Sequence, residues 1–238
     1  IMAAVARLAA DAGLPRPHLR ICFTPDEEIG EGATLFDLNG FGAECAYTID
    51  GSELGEIQDE TFSAKEAILT VDGVDAHPGQ ATGKLVSALR LAARIVAALP
   101  PGLTPERTAG REGFIHPYEL SGTAGRAQIR AIVRDFDDDR LTEHVGLLRR
   151  TAEKVLASEP RARLRFAVTT QYRNMRRYLD EVPHVTEAAV QAIQAEGIEP
   201  IRNPIRGGTD GARLSEMGLP TPNIFTGGHE YHSVREWV

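Results

Sequence analysis

Leu19-Arg20-Ile21-Cys22-Phe23-Thr24-Pro25-Asp26-Glu27-Glu28-Ile29-Gly30 sets the reading of the chain. The apolar run 19–23 predicts a short strand. Thr24-Pro25 ends it, because proline has no N–H to give a neighbouring strand. Three carboxylates follow at once, which places them at the lip of a sheet, where open α/β sheets collect ligands. Adjacent side chains on an extended segment point to opposite faces, so Glu27 and Glu28 can take different tasks, one on a metal and one on a water. The same acids also suit the first turn of a helix, where negative charge complements the dipole. The stretch by itself leaves both readings open.

Working outward, residues 1–12 carry Ile1, Val5, Leu8 and Ala9 at helical spacing, and Gly13 and Pro15 stop the helix. A helix before the strand makes an αβ step. Residues 30–40 read as a short helix with a glycine stop. Ala46-Tyr47-Thr48-Ile49-Asp50-Gly51 is a second apolar strand that also ends on an acid. Two strands finishing on carboxylates imply a mostly parallel sheet with its site at the carboxyl ends.

The pattern changes near residue 60. Residues 67–74 alternate as a half-buried strand does. Residues 84–99 form an amphipathic helix with Leu85, Val86, Leu89, Ala92, Ala93 and Val96 on one face. Its width predicts that Leu91, Ile95 or Ala98 stays uncovered. Strands 115–120 and 128–136 flank a turn at 122–125. Asp137–Asp139 caps a helix over 140–156, and a strand follows at 164–170. The order β-α-β-β-α-β is that of a ferredoxin-like layer. Residues 61–176 are therefore read as an inserted α+β domain, with 1–60 and 177–238 as parts of the α/β domain it interrupts. In the second part a helix spans 185–196, with Gly197 after it. Arg206-Gly207-Gly208-Thr209-Asp210-Gly211 leads into another helix, and Glu236-Trp237-Val238 reads as a strand. A chain that opens directly in a helix and closes in a strand reads as an excerpt from a longer protein.

Composition fits a soluble globular protein: 42% apolar, 25% charged, net charge −8. No basic cluster points to nucleic acid or an anionic membrane as partner. No apolar run is long enough to cross a bilayer. Cys22 and Cys45, the only cysteines, lie in strand-like apolar surroundings. They read as free buried thiols of a reducing compartment, which places the protein in the cytoplasm.

Glu28, Asp50 and His232 each sit at or just after the end of an apolar strand. Carboxylates with an imidazole suit zinc, cobalt or manganese. Glu27, beside a ligand, can act as the base for a water that the metal acidifies. Taken singly, Asp50 before Gly51 is also an ordinary turn residue, and a lone histidine is more often a hydrogen-bonding group than a ligand.

The series Thr24–Gly30, Ala46–Gly51, Ala76-His77-Pro78-Gly79, Pro204–Ala212, and Asn223–Gly228 with His232 resembles the co-catalytic dizinc exopeptidases. That family includes carboxypeptidase G2-like enzymes, acetylornithine deacetylase-like enzymes and aminoacylases. The run at Pro204 and the phrase Gly110-Arg111-Glu112-Gly113-Phe114 resemble its tripeptide aminopeptidase branch in particular. The resemblance implies Glu27 as general base, and Glu28, Asp50 and His232 as zinc ligands. It implies His77, Asn174, Arg206 and Gly207 as substrate-binding residues, with His77 reaching into a partner subunit's site. It also implies a small peptide substrate and a homodimer joined through the inserted domain. His77 can equally shape its turn, Asn174 can cap the domain junction, and Arg206 can pair with Asp210. His18, His116, His144 and His184 read as surface or capping residues.

The family's upstream histidine and bridging aspartate have no counterpart here. The expected activity, release of the N-terminal residue of tripeptides, therefore belongs to the intact protein, and this chain alone reads as inactive. The alternatives are a related amidohydrolase or carboxypeptidase, and a dimerisation scaffold lacking a full ligand set.

Overall fold

The computed structural model describes residues 1–15, 18–25, 27, 30–230 and 233–237. In chain order the elements are α1 (Met2–Ala10), α2 (Leu38–Phe41), β1 (Thr48–Gly51), β2 (Glu56–Gln58), β3 (Ser63–Asp72), α3 (Ala88–Ala97), β4 (Phe114–Gly122), β5 (Arg126–Asp135), α4 (Asp138–Leu156), β6 (Arg163–Tyr172), α5 (Arg176–Leu179), α6 (Pro183–Ala195), β7 (Ile201–Arg202), α7 (Asp210–Glu216) and β8 (Asn223–Phe225). The chain divides into two compact units. One is Ile1–Thr61 with Met175–Val238, and the other is Phe62–Asn174.

The second unit is a four-stranded sheet in the order β4-β5-β3-β6, with every neighbouring pair antiparallel. That order, with α3 after the first strand and α4 after the third, is the ferredoxin-like arrangement. Alternation builds its core. Ala67, Leu69 and Val71 of β3 lie opposite Ala131, Ile129 and Ala127 of β5, and all are buried. Leu141, Leu148, Ala152 and Leu156 of α4 close over them. Asp137 caps α4 by accepting the amides of Asp139 and Arg140, both at 2.9 Å. The Arg140 amide, ahead of the smaller effects, holds the Asp137 carboxyl below its ordinary range.

The helix expected over 84–99 is shorter and differently turned. It starts at Ala88, capped by Ser87, whose hydroxyl accepts the Arg90 amide. Val86 is instead spent on a bridge to Val74. The inward face is Ala88, Leu91, Ala92 and Ile95, while Leu89 is 38% exposed. Of the three residues expected to stay uncovered, Leu91 and Ile95 are 5% and 0% exposed within one chain, and only Ala98, at the C-cap of the helix, is exposed. Both candidate faces hold apolar residues at helical spacing, and the position of the sheet chooses between them.

The first unit holds a four-stranded sheet in the order β1-β8-β2-β7. β1 runs parallel to β8 and β2 parallel to β7, while β2 and β8 are antiparallel. α6 packs Ala189 and Ile193 against Ile57 of β2. Gly197 follows α6 at φ +75°, the left-handed conformation that ends a helix cheaply.

The strand expected over 19–23 does not form, and no ladder joins it to a described strand. Leu19, Ile21 and Phe23 are 54%, 45% and 68% exposed. Sheet propensity is expressed only where a neighbour supplies hydrogen bonds and a covering layer. Cys22 and Cys45 are free thiols, as expected, but both are exposed rather than buried. Of the helix expected over 30–40, only Leu38–Phe41 forms, capped by Asp37. The expected closing strand is reduced to a bridge between Trp237 and His229, whose rings stack at 4.4 Å. Among the described residues no helix is long and apolar enough to cross a membrane.

Candidate functional site

Asp50 stands near the carboxyl end of β1. The parallel register with β8 runs Thr48↔Asn223 and Ile49↔Ile224, then steps over Asp50 to Gly51↔Phe225. An irregularity of this kind re-aims the side chain at the skipped position. Asp50 is exposed and can offer its carboxylate to a ligand. Gly51 packs closely on the next strand: a Cβ there would lie 3.0 Å from Phe225 Cα and 3.1 Å from the Ile224 carbonyl oxygen, tight enough that the neighbouring backbone would have to give. The Gly51 carbonyl accepts the Thr226 amide at 2.7 Å, which fixes the β1 end against the segment after β8.

Glu27 is half-buried in a turn closed by the Gly30 amide on its carbonyl at 2.7 Å. Of the three acids only Glu27 is among the described residues, so the alternation expected of Glu27 and Glu28 lies outside them. Glu28 and His232, two of the expected ligands, lie outside the described residues. Just before the acids, the Thr24 hydroxyl donates to Asp210 Oδ2 at 2.7 Å. Asp210 is the buried first residue of α7, which Thr209 caps. A Cβ at Gly32 would fall 2.4 Å from Asp210 Oδ2, so the turn after the acids also closes on this carboxylate. Thr24 and Gly32, on either side of the acids, thus both meet Asp210 at the start of α7. Arg206 and Gly207 are half-buried in the loop between β7 and α7.

The other expected residues belong to the second unit. His77 is exposed and caps the 3₁₀ turn Pro78–Gln80, its Nδ1 accepting the Gly79 amide at 3.2 Å. This leaves Nε2 as the nitrogen that carries the proton in the neutral ring. Asn174 donates its amide N–H to Ser63 Oγ at 2.9 Å and its Nδ2 to the Phe136 carbonyl at 3.2 Å. His144 is not a surface residue. It is largely buried, and its Nε2 lies 3.1 Å from Oδ2 of the fully buried Asp135.

Sequence reading missed Glu56 and Asn203, whose side chains meet at 3.2 Å behind the β1 end. The available signal was a glutamate opening a three-residue strand directly after Leu54-Gly55. Nearby, burial pushes the Asp59 carboxyl above its ordinary range, against the pull of Arg202 at 3.7 Å.

Among the described residues no three histidine, cysteine, aspartate or glutamate side chains converge as a metal cluster. Asp50, exposed at a strand end, and Glu27 both carry carboxylate oxygens, the donor type that suits a hard or borderline divalent metal.

Solved structures share this architecture. The chain superposes on an aminopeptidase PepT from Bacillus cereus with a TM-score of 0.73 and 24% identity, over 90% of this chain and 57% of that one. It superposes on a dinuclear metal-binding peptidase of the M20 family from Bacillus subtilis with a TM-score of 0.61 and 18% identity, over 91% and 58%. The fold is that of the M20 peptidases, and residues 60–160 match the family described as the peptidase dimerisation domain.

Sequence similarity is more specific. Over all 238 residues the chain is 45% identical to Peptidase T of Aeromonas salmonicida and 42% identical to Peptidase T of Desulfitobacterium hafniense. The resemblance read from the motifs is thus to peptidase T and extends over the whole chain. The chain spans 58% of the length of these relatives.

Proposed function

We propose that this chain is part of a metal-dependent aminopeptidase that releases the N-terminal residue of tripeptides. The observation that carries the reading is the unbroken similarity to peptidase T over all 238 residues. Residues 1–60 and 177–238 then form part of the catalytic domain, and 61–176 form its lid and dimerisation domain. Two zinc ions, with cobalt or manganese as substitutes, are the expected cofactors, and the cytoplasm is the expected location.

When bound, the metals act as Lewis acids that polarise the scissile carbonyl and acidify a water. Glu28, Asp50 and His232 would hold them. Glu27 takes the proton from the attacking water and delivers it to the leaving amine. His77 donates from Nε2 toward the scissile carbonyl oxygen, in its own or a partner subunit's site. Arg206 offers its planar fork to a substrate carboxylate. Gly207 lets the substrate backbone approach closely, and Asn174 contributes an amide to peptide recognition.

The homodimer rests on the match to the dimerisation domain and on the open edges of β4 and β6, since unpaired edges tend to be covered. The apolar face of α3 gives it no support.

The test is the full-length protein assayed against tripeptides, dipeptides and N-acyl amino acids. Cleavage of tripeptides from the amino end supports the reading. Cleavage of N-acyl amino acids alone replaces it with an amidohydrolase.

A further inference from the structure

Glu56 is a buried carboxylate, 6% exposed, with no role in the chemistry above. Burying such a charge is costly unless hydrogen bonds replace its water. Here they do. Oε2 accepts the Ser52 amide at 2.8 Å and the Glu53 amide at 3.3 Å, and Oε1 accepts Asn203 Nδ2 at 3.2 Å. The Glu56 amide donates to the Glu53 carbonyl at 2.9 Å and closes the turn.

The partners occupy telling positions. Ser52 and Glu53 directly follow Asp50 and Gly51, where the register with β8 breaks. An irregular strand end holds its side chain in one place only if the backbone on both sides is fixed. Thr226 fixes Gly51 from the β8 side, and Glu56 fixes the two residues after it. Asn203, on the other carboxylate oxygen, lies three residues before Arg206. Its amide donates to the Ile57 carbonyl at 3.2 Å. One carboxylate therefore straps the turn behind Asp50 to the loop that carries Arg206 and Gly207. Two backbone amides and a side-chain amide arriving from two segments are joined by a side chain that ends in two polar atoms, one for each segment.

We propose that Glu56 is a positioning residue that aims the Asp50 carboxylate and couples it, through Asn203, to the substrate-binding loop. The inference rests on the proposed reading of Asp50 as a metal ligand and Arg206 as a substrate contact. Its test uses the full-length protein, with zinc titrated against a chromophoric chelator, amide hydrogen exchange at Ser52 and Glu53, and KM for a tripeptide.

Glu56→Ala should weaken zinc binding about 10- to 100-fold, the usual effect of losing an outer partner of a ligand. It should also speed exchange at both amides. Glu56→Gln should restore most of the affinity, because its oxygen still accepts from the turn and a rotated Asn203 amide still pairs with its nitrogen. Asn203→Ala should raise KM about fivefold, the loss of one hydrogen bond, and keep zinc affinity within about twofold. Zinc affinity unchanged in Glu56→Ala overturns the proposal, as does equal loss in the Ala and Gln variants. If Glu56→Ala does not fold, Asn203→Ala decides, and an unchanged KM there overturns the coupling. A wild-type protein that binds no zinc overturns the proposed function itself, a distinct result.

Discussion

Replacing Ile95 with alanine distinguishes the two faces on which α3 could have packed. Ile95 is 0% exposed inside the cluster formed by β3, β5 and both helices of the second unit. The substitution removes three carbons from that interior, at about 0.8 kcal/mol each in transfer free energy. If roughly 50 Å³ of the space stays open, the cavity adds about 1.2 kcal/mol. Alanine's better helix propensity returns about 0.4 kcal/mol. The expected loss is about 3 kcal/mol. Leu89, six residues earlier on the outward face and 38% exposed, loses less transfer energy and leaves no enclosed cavity. Leu89→Ala should therefore cost less than about 1 kcal/mol. Urea unfolding followed by circular dichroism measures both. With an m-value of about 2 kcal/mol/M, the Ile95 variant shifts its midpoint down by about 1.5 M and the Leu89 variant by less than about 0.5 M, with m unchanged. Equal costs, or a larger cost at Leu89, would refute the orientation of the helix and restore the uncovered stripe at Leu91 and Ile95.

The remaining predictions concern the site, the pH response and the assembly. In the full-length protein Glu27→Gln should keep the metal and lose about 10²–10⁴-fold in turnover, while Glu28→Gln should lose metal as well; equal metal loss in both, read by elemental analysis, shows the pair is wrongly assigned. Gly51→Ala forces a methyl to about 3.0 Å from the Phe225 backbone, so it should cost about 1–3 kcal/mol and weaken zinc binding; a stability change below about 0.5 kcal/mol would show that the strand end yields. The hydrogen bond from Tyr118, ahead of the opposing effect of burial and the help of Arg130, holds the Glu66 carboxyl below its ordinary 4.5. A depressed carboxyl contributes stability above its unfolded value and loses it as pH falls through the lower folded value. The stability difference between wild type and Tyr118→Phe should therefore be full at pH 6 and shrink below about pH 4; a difference that does not change with pH removes the link. Light scattering on the purified chain should give twice the chain mass at micromolar concentration, and a monomer at high micromolar concentration would refute pairing through the second unit.

Much of this architecture is local and so is visible in the sequence. Alternation along 67–71 and 127–133, a capping aspartate before 138–156 and a glycine after 195 each depend on a few neighbouring residues, and each reappears in the structure. Periodicity fixes which residues share a face but not which of two apolar faces turns inward. Leu89 and Ile95 exchanged places for that reason once α3 met its sheet. The apolar run 19–23 fails as a strand on similar grounds, because a ladder and a covering layer come from other segments.

The candidate site divides along the same line. Its ordered motifs, from Thr24–Gly30 to Asn223–Gly228, are linear features, and they carry both the family resemblance and the candidate site residues. Tertiary structure alone decided how those residues are held: the register step at Asp50, Thr24 on Asp210, and Glu56 joining Ser52 and Glu53 to Asn203. Glu56 and Asn203 are 147 positions apart. Sequence spacing carries no trace of such a pairing, because a hydrogen bond depends on distance in space, and over that separation only the packed sheet brings the two ends within reach.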